Sequence, residues 1–391
     1  MKVYLISLAT PFQQTAPAKR CICYLKALQE AGVECQWLLK KQADSDGHPT
    51  TGQFEGIPYK MVGGTCKISP KWKRLVFCLF SEVLTLLYML AKLKRGDVVY
   101  LYSQDIYWCR WTCRVAHLKG AKTVTELCEF PFYAQGEETS ETLQNRDKYQ
   151  KQILPAIDGI IPISDALAEY ATKYVRKDCK IIKVPILVDF EQYDMEDKSS
   201  EAEIPYIFHS GTLYEQKDGI LGMIEAFGKA CKQLDKPIRF ISTGTKEKSP
   251  HATEIDALIQ KYDLKDKVNF TGYLSDEDLK DHLQKASMVI INKAPNQQNS
   301  YCFSTKLGEY MAAGKAIIIT RVGEAMNWLT DGKDALVIPP SENDTLVDAI
   351  VRLFSDDELR KTLGENARET CRKSFDYRSW GNVMKQKFQN L

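Results

Sequence analysis

Lys306 and Glu309 are the residues whose types and spacing most directly suggest chemistry. They lie in the stretch Ser300 to Arg321, SYCFSTKLGEYMAAGKAIIITR, where a polar loop runs into a short helix, a glycine stop and a β-branched strand. Leu307, Tyr310 and Met311 recur at helical spacing and would face a core, Gly314 suits a left-handed cap, and Ala316 to Thr320 reads as a buried strand. On the opposite face a cation in the first turn and a carboxylate one turn later project from a helix N-terminus. Unpaired N–H groups and the helix dipole already favour anions there. A phosphate at Lys306 with a sugar diol on Glu309 fits that arrangement. A solvated Lys–Glu pair, worth a few tenths of a kcal/mol, is the other reading of the spacing.

Other stretches could serve the same ligand. HSGTLYEQKDG supplies Gly211, where backbone can pass close to a ligand, and Lys217, a point charge for a diphosphate. Ser242 to Thr245 (STGT, with Gly244) and Phe270 to Leu274 (FTGYL, with Tyr273) add glycine turns with room for a base. Each turn alone is generic, so the weight lies in their order and intervals. Upstream, Lys122 to Cys128 reads as a strand ending in TELCEFPF, which puts Glu126 and Glu129 at the carboxyl edge where open parallel sheets place ligands. An exposed strand-end pair is the plainer alternative. His117, near a helix end, reads as a cap and His209 as a strand residue.

The elements that would hold these residues alternate. Lys2 to Ser7 is a strand, Ala18 to Ala31 an amphipathic helix closed by Gly32, and Glu34 to Leu39 a second strand. The turn Ala9 to Lys19 has no glycine and so is not a dinucleotide fingerprint. Leu75 to Leu93 is an apolar run between basic clusters. It reads as a helix packed partly on the sheet and partly on a membrane surface, with Lys67, Lys71, Lys73 and Arg74 near anionic head groups. A wholly buried helix and a bilayer crossing are the alternatives; the strand Asp97 to Ser103 that follows at once argues against a crossing. Further helices and strands close a first domain at Lys180 to Val188, and Asp189 to Ile204 reads as a linker. Strands at Tyr206, Ile238, Val268, Met288 and Ala316, separated by helices, then predict a second doubly wound parallel sheet.

Composition bounds the rest. The 391 residues, 44% of them hydrophobic, suffice for two ordinary domains. A formal net charge of +2 gives no global cue for nucleic acid. The twelve cysteines lie mostly in apolar runs without paired CxxC spacing, which favours buried reduced thiols over zinc, and there is no Asp-rich metal signature. MKVYLISLAT reads as a first strand and not a signal peptide, so a cytoplasmic protein is expected.

The phrase STKLGEYMAAGKAII resembles the nucleotide-binding segment of family 4 retaining glycosyltransferases, and IIKVPILVDFEQYD resembles that family's domain-crossing phrase. The resemblance runs from there almost to the C-terminus. It implies an α/β GT-B fold, two doubly wound Rossmann-like domains facing across a cleft. Residues 1–188 and 374–391 would form the acceptor side, with a C-terminal helix crossing back, and 189–373 the donor-binding domain. It implies a metal-independent hexosyltransferase with no cofactor, moving sugar from a UDP- or GDP-sugar to a glycan or lipid-linked acceptor in polysaccharide or lipopolysaccharide assembly. Such an enzyme would sit in the cytoplasm or peripherally on the inner membrane face. Glu309 would hold the ribose, Lys306 and Lys217 the leaving diphosphate, and Tyr273's turn the base. Gly211, Thr212, Gly244, Ser300, Tyr301, Ser304 and Thr305 would complete the donor site. Glu129 is a catalytic candidate with the two lysines, and Glu126 and Gln13 are acceptor-side contacts. The sequence departs from the family's pattern at Tyr301, where a second glutamate is usual, and at Thr212, where an arginine is usual. A glycine pair after the first strand is missing, which leaves Gln13, Gln14 and Lys19 as the cleft candidates there. A GT-B sugar-nucleotide epimerase and a non-catalytic GT-B binding scaffold are the alternative functions.

Overall fold

The computed structural model describes residues 1–12, 15–39, 48–62, 71–133, 138–193 and 202–391, without the side chains at 71, 73–75, 77 and 78. Gln13, Gln14 and Lys67 lie outside the described residues, as do the side chains of Lys71, Lys73 and Arg74. The chain divides into two α/β units, Met1–Leu187 with Tyr377–Leu391, and Val188–Asp376.

In the first unit, strands β1 (Lys2–Ser7), β2 (Glu34–Leu39), β3 (Thr51–Phe54), β4 (Ile57–Met61), β5 (Val98–Tyr102), β6 (Lys122–Leu127), β7 (Gly159–Pro162) and β8 (Lys180–Ile181) form one sheet. Their order is β3-β4-β2-β1-β5-β6-β7-β8, parallel except for the β3–β4 hairpin at one edge. Central strands such as KVYLIS and VVYLY are buried on both faces, as parallel strands flanked by helices must be. The alternation in the sequence does not announce the hairpin. Its signal is the two-residue turn Glu55-Gly56, with φ at 47° and 79°, the left-handed pair that a tight hairpin requires.

Helix α1 (Ala16–Glu30) begins at Thr15, whose side chain accepts from Ala18 N–H. The C-terminal helix Gly381–Gln389 packs against α1 so closely that a Cβ on Gly381 would collide with the Ala27 carbonyl. Lys385 Nζ donates to Ala31 O at 2.7 Å and Tyr377 OH to Glu30 at 2.8 Å. Helix α2 (Lys71–Lys92) buries Ser81, Thr85 and Met89, with Ser81 donating to Val62 O. Its outer face leaves Trp72, Val76, Leu79, Phe80, Val83 and Leu87 each 52–64% exposed. Among the described residues no helix is long and apolar enough to cross a membrane. His117, at the end of α3 (Ile106–Leu118), is not a helix cap: its Nε2 lies 2.8 Å from Asp158, which also accepts from Thr123 N–H and pairs with Arg176. Burial works against the Asp158 carboxylate, but His117 and Thr123 more than offset it and hold the group well below the usual range.

The second unit is a six-stranded parallel sheet of β9 (Tyr206–His209), β10 (Arg239–Ser242), β11 (Val268–Phe270), β12 (Met288–Ile291), β13 (Ala316–Thr320) and β14 (Leu336–Ile338). The order β11-β10-β9-β12-β13-β14 makes it doubly wound. The chain runs outward from β9 in one direction, then returns to β12 and runs the other way. A crevice therefore opens at the carboxyl ends of β9 and β12, the place where open α/β sheets take ligands. Part of the stretch read as a linker is docked: Phe190 is buried, with the Arg368 guanidinium 4.7 Å from its ring. Residues 194–201 lie outside the described residues. All described cysteines are free.

Candidate functional site

At this switch point β9 ends in His209 and leads into the turn Ser210-Gly211-Thr212, while β12 leads into Asn292-Lys293. The helix Thr305–Ala312 faces both. Its Tyr310 hydroxyl accepts from Ser210 N–H at 2.8 Å, which ties the turn to the helix. Ser304 stands at the N-cap but makes no side-chain capping bond, so its hydroxyl does not consume the first-turn N–H groups. Lys306 is 24% exposed by side chain, and its ammonium sits 2.6 Å from Asp218 Oδ1. The other Asp218 oxygen accepts from both Thr212 N–H and Thr212 Oγ1 at 3.0 Å. Burial pushes the Asp218 carboxyl up, yet Lys306, His209 and the Thr212 N–H outweigh it and leave the group ionised far below the usual range.

His209 is fully buried. Its Nδ1 donates to Ile290 O at 3.3 Å, which fixes the tautomer, and Nε2 has no hydrogen-bond partner. Burial, with Lys306 nearby, lowers its pKa to about 4, so the ring is neutral at pH 7. Gly211 covers this cluster. A Cβ there would collide with His209 Nε2 and lie 2.9 Å from both Asp218 Oδ2 and Lys306 Nζ. The glycine is thus required by the protein's own charged groups.

A second cation joins Lys306 in the group. Lys293 is half-buried and donates to Asn299 Oδ1 at 3.1 Å. Burial lowers its pKa; Cys302 and Asp218 oppose the fall, while Lys306 and Lys217 add to it. Asn299 is itself fully buried and donates to Gln216 O and Ala294 O, and Asn296 donates to Gln216 O at 2.7 Å. These amides staple the loop after β12 to the short helix Glu215–Asp218, and so set where the exposed Lys217 stands. Glu309 is half-buried one turn beyond Lys306, and Thr305 and Tyr301 are also half-buried nearby in sequence. Ser300 is exposed, with its hydroxyl donating to Asn296 O.

The side of Gly244 that a Cβ would occupy is filled by the Leu213 side chain, a fully buried residue at φ 61°. Glu126 is no open acceptor contact: it is buried in an ion pair with Arg20, and Tyr100 OH donates to its Oε2 at 2.8 Å. Glu129 is exposed at the carboxyl edge of β6, and Tyr273 is 76% exposed after Gly272, whose φ is 72°. Among the described residues no group of His, Cys, Asp and Glu could hold a metal ion.

Residues 192–370, which contain this whole constellation, match the family model described as "Glycosyl transferases group 1". The chain is 24% identical over 177 residues to "Alpha-D-kanosaminyltransferase" of Streptomyces kanamyceticus, covering 45% of this chain and 42% of that protein. It is 24% identical over 226 residues to "N-acetyl-alpha-D-glucosaminyl L-malate synthase" of Bacillus anthracis, covering 56% of each. The chain thus spans about half the length of these curated relatives. Solved structures match throughout. The sucrose-phosphate synthase of Thermosynechococcus elongatus aligns over 99% of this chain and 98% of its own, with TM-score 0.73 and 18% identity. Anabaena HepE in complex with UDP and glucose aligns over 100% of both chains, with TM-score 0.71 and 14% identity. This likeness shows the fold, two α/β domains with parallel sheets of the GT-B type.

Asp218 and His209 lie within HSGTLYEQKDG without a role read from the sequence, and Lys293 carries no motif at all. The signal available for Asp218 is its place beside Lys217 at the end of a strand-glycine turn. For Lys293 and Asn299 it is their position after a buried strand, which gains meaning once β12 is known to lie beside β9.

Proposed function

We propose that this chain is a retaining, metal-independent glycosyltransferase that moves a hexose from a nucleoside diphosphate sugar to a glycan or lipid-linked acceptor. The observation that carries the reading is the convergence of Lys306, Lys293, Lys217 and the Gly211 turn at the switch point of the second sheet, with Glu309 one helical turn away. Cleaving the donor's glycosidic bond develops negative charge on the departing diphosphate oxygen, and prepositioned cations stabilise that charge in the transition state. Glu309 would hold the ribose diol, with Tyr301, Ser304 and Thr305 beside it. Transfer with retention needs no protein nucleophile if the departing oxygen itself accepts the acceptor's proton. Glu129 is the acceptor-side candidate of the first unit.

UDP is the favoured nucleotide, because HepE, which shares the fold, is solved with UDP and with UDP-glucose. Polysaccharide assembly on the cytoplasmic face of a membrane fits the outer face of α2, whose exposed aromatic and aliphatic side chains suit a bilayer surface. The test is calorimetric titration of UDP, GDP and their sugars into wild type and Glu309→Ala. Micromolar binding of one nucleotide, lost in the variant, is expected. Folded protein that binds none of them refutes the reading and favours a binding scaffold.

A further inference from the structure

Two groups that a phosphate at this site would need, the Lys306 ammonium and the Thr212 N–H, are both engaged by one carboxylate. Asp218 Oδ1 lies 2.6 Å from Lys306 Nζ, and Oδ2 accepts from Thr212 N–H and Oγ1 at 3.0 Å. An ionised carboxylate bridging a lysine and a turn N–H makes the contacts that two phosphate oxygens would make. Asp218 is poorly placed to move away. It ends the helix stapled by Asn296 and Asn299, and Gly219 behind it sits at φ 63° where a Cβ would collide with Asn292 O. Lys306, on a four-carbon stem at the edge of solvent, is the partner free to turn.

We infer that Asp218 is an internal anion that competes with the donor's diphosphate for Lys306 and Thr212, and thereby holds down the affinity of the site, more so for ligands carrying more than one phosphate. The inference rests on the donor-site reading above. Removing the carboxylate has two opposed effects. It frees Lys306 and the turn from an anchor, and ordering one lysine side chain costs a factor of at most about 30 in affinity. It also removes a negative charge beside the bound phosphates, and at an effective dielectric near 20 each such pair a few ångströms apart is worth a factor of about 100 or more. The second effect dominates and grows with ligand charge, so it is larger for a diphosphate than for the less highly charged monophosphate.

The test is calorimetry of UDP, GDP, UMP, GMP and inorganic pyrophosphate with wild type, Asp218→Asn and Lys306→Met. Asp218→Asn should tighten the diphosphate by about tenfold or more and the monophosphate by less, while Lys306→Met weakens both. Unchanged or weaker diphosphate binding in Asp218→Asn would overturn the inference and leave the donor reading intact. Tightening seen with pyrophosphate alone, with no nucleotide bound by wild type, would uphold the competition and refute the donor reading. Folded wild type and variant that bind neither would overturn both. Should Asp218→Asn not fold, the wild-type protein decides. Saturating pyrophosphate must shift the Thr212 amide resonance as its hydrogen bond passes from carboxylate to phosphate, and an unmoved resonance overturns the proposal.

Discussion

His209 makes stability depend on pH in a way that can be worked out in advance. Its imidazole is fully buried, neutral, and lowered to about 4 against an ordinary value of 6.5. Above pH 6.5 the ring is neutral in both folded and unfolded chains and adds no pH dependence. Between 6.5 and about 4 the unfolded chain binds a proton that the folded one refuses, so stability falls as the pH falls through this window. At about 1.36 kcal/mol per tenfold change in proton affinity, the full gap amounts to roughly 3 kcal/mol, of which roughly 2 kcal/mol is already lost at pH 5. The comparison is urea unfolding of wild type and His209→Gln at pH 7.5 and pH 5, so that carboxylates common to both cancel. The wild type should lose roughly 2 kcal/mol more than the variant over that interval. An NMR titration of the five histidines should show one ring titrating near pH 4, moving upward in Lys306→Met, because the ammonium helps to lower it. Equal losses in the two proteins, or five rings titrating between pH 6 and 7, would refute the account of this cluster.

Three further outcomes are expected. Gly211→Ala drives a methyl group into His209, Asp218 and Lys306, and should cost about 1–3 kcal/mol in unfolding measurements while abolishing nucleotide binding in calorimetry. Glu126→Gln leaves Arg20 buried without its charge partner and should lower stability by about 3–5 kcal/mol, whereas Arg20→Met with Glu126→Leu should recover most of the loss; a double-mutant cycle in urea reads both. Phe80→Glu with Val83→Glu on the outer face of α2 should abolish co-sedimentation with anionic vesicles and leave circular dichroism unchanged, and persistent sedimentation would remove the membrane reading.

What the sequence made legible follows a physical division. Helices and parallel strands announce themselves through periodicity, so β1, β2 and β9 to β13 stand where the hydrophobic pattern puts them. The Lys306–Glu309 pair was legible because both residues share one helix face. Asp218 and His209 were not, because their meaning comes from strands 81 residues apart in sequence lying side by side, with His209 held by Ile290 across the sheet. The glycines had a second reason that the sequence does not show: at Gly211 and Gly244 the side a Cβ would take is occupied by His209 and Leu213. Glu126 misled because a carboxylate at a strand end looks exposed until Arg20, 106 residues earlier, is found beneath it.

The C-terminal segment on α1 has a consequence for assembly. The second unit is a continuous run, Val188–Asp376, and has all its strands once that run has left the ribosome. The first unit is discontinuous: Met384 and Phe388 belong to the same apolar core as Val3, Leu5 and Tyr24, and the Leu391 side chain lies against Gly159 on β7. Until they arrive, α1 presents an open apolar flank while nearly two hundred residues of the other unit are still being made. Domains usually complete folding in N- to C-terminal order during synthesis. Here the order is reversed, so nascent chains arrested near residue 376 should carry a protease-resistant second unit beside a first unit still open to chaperones.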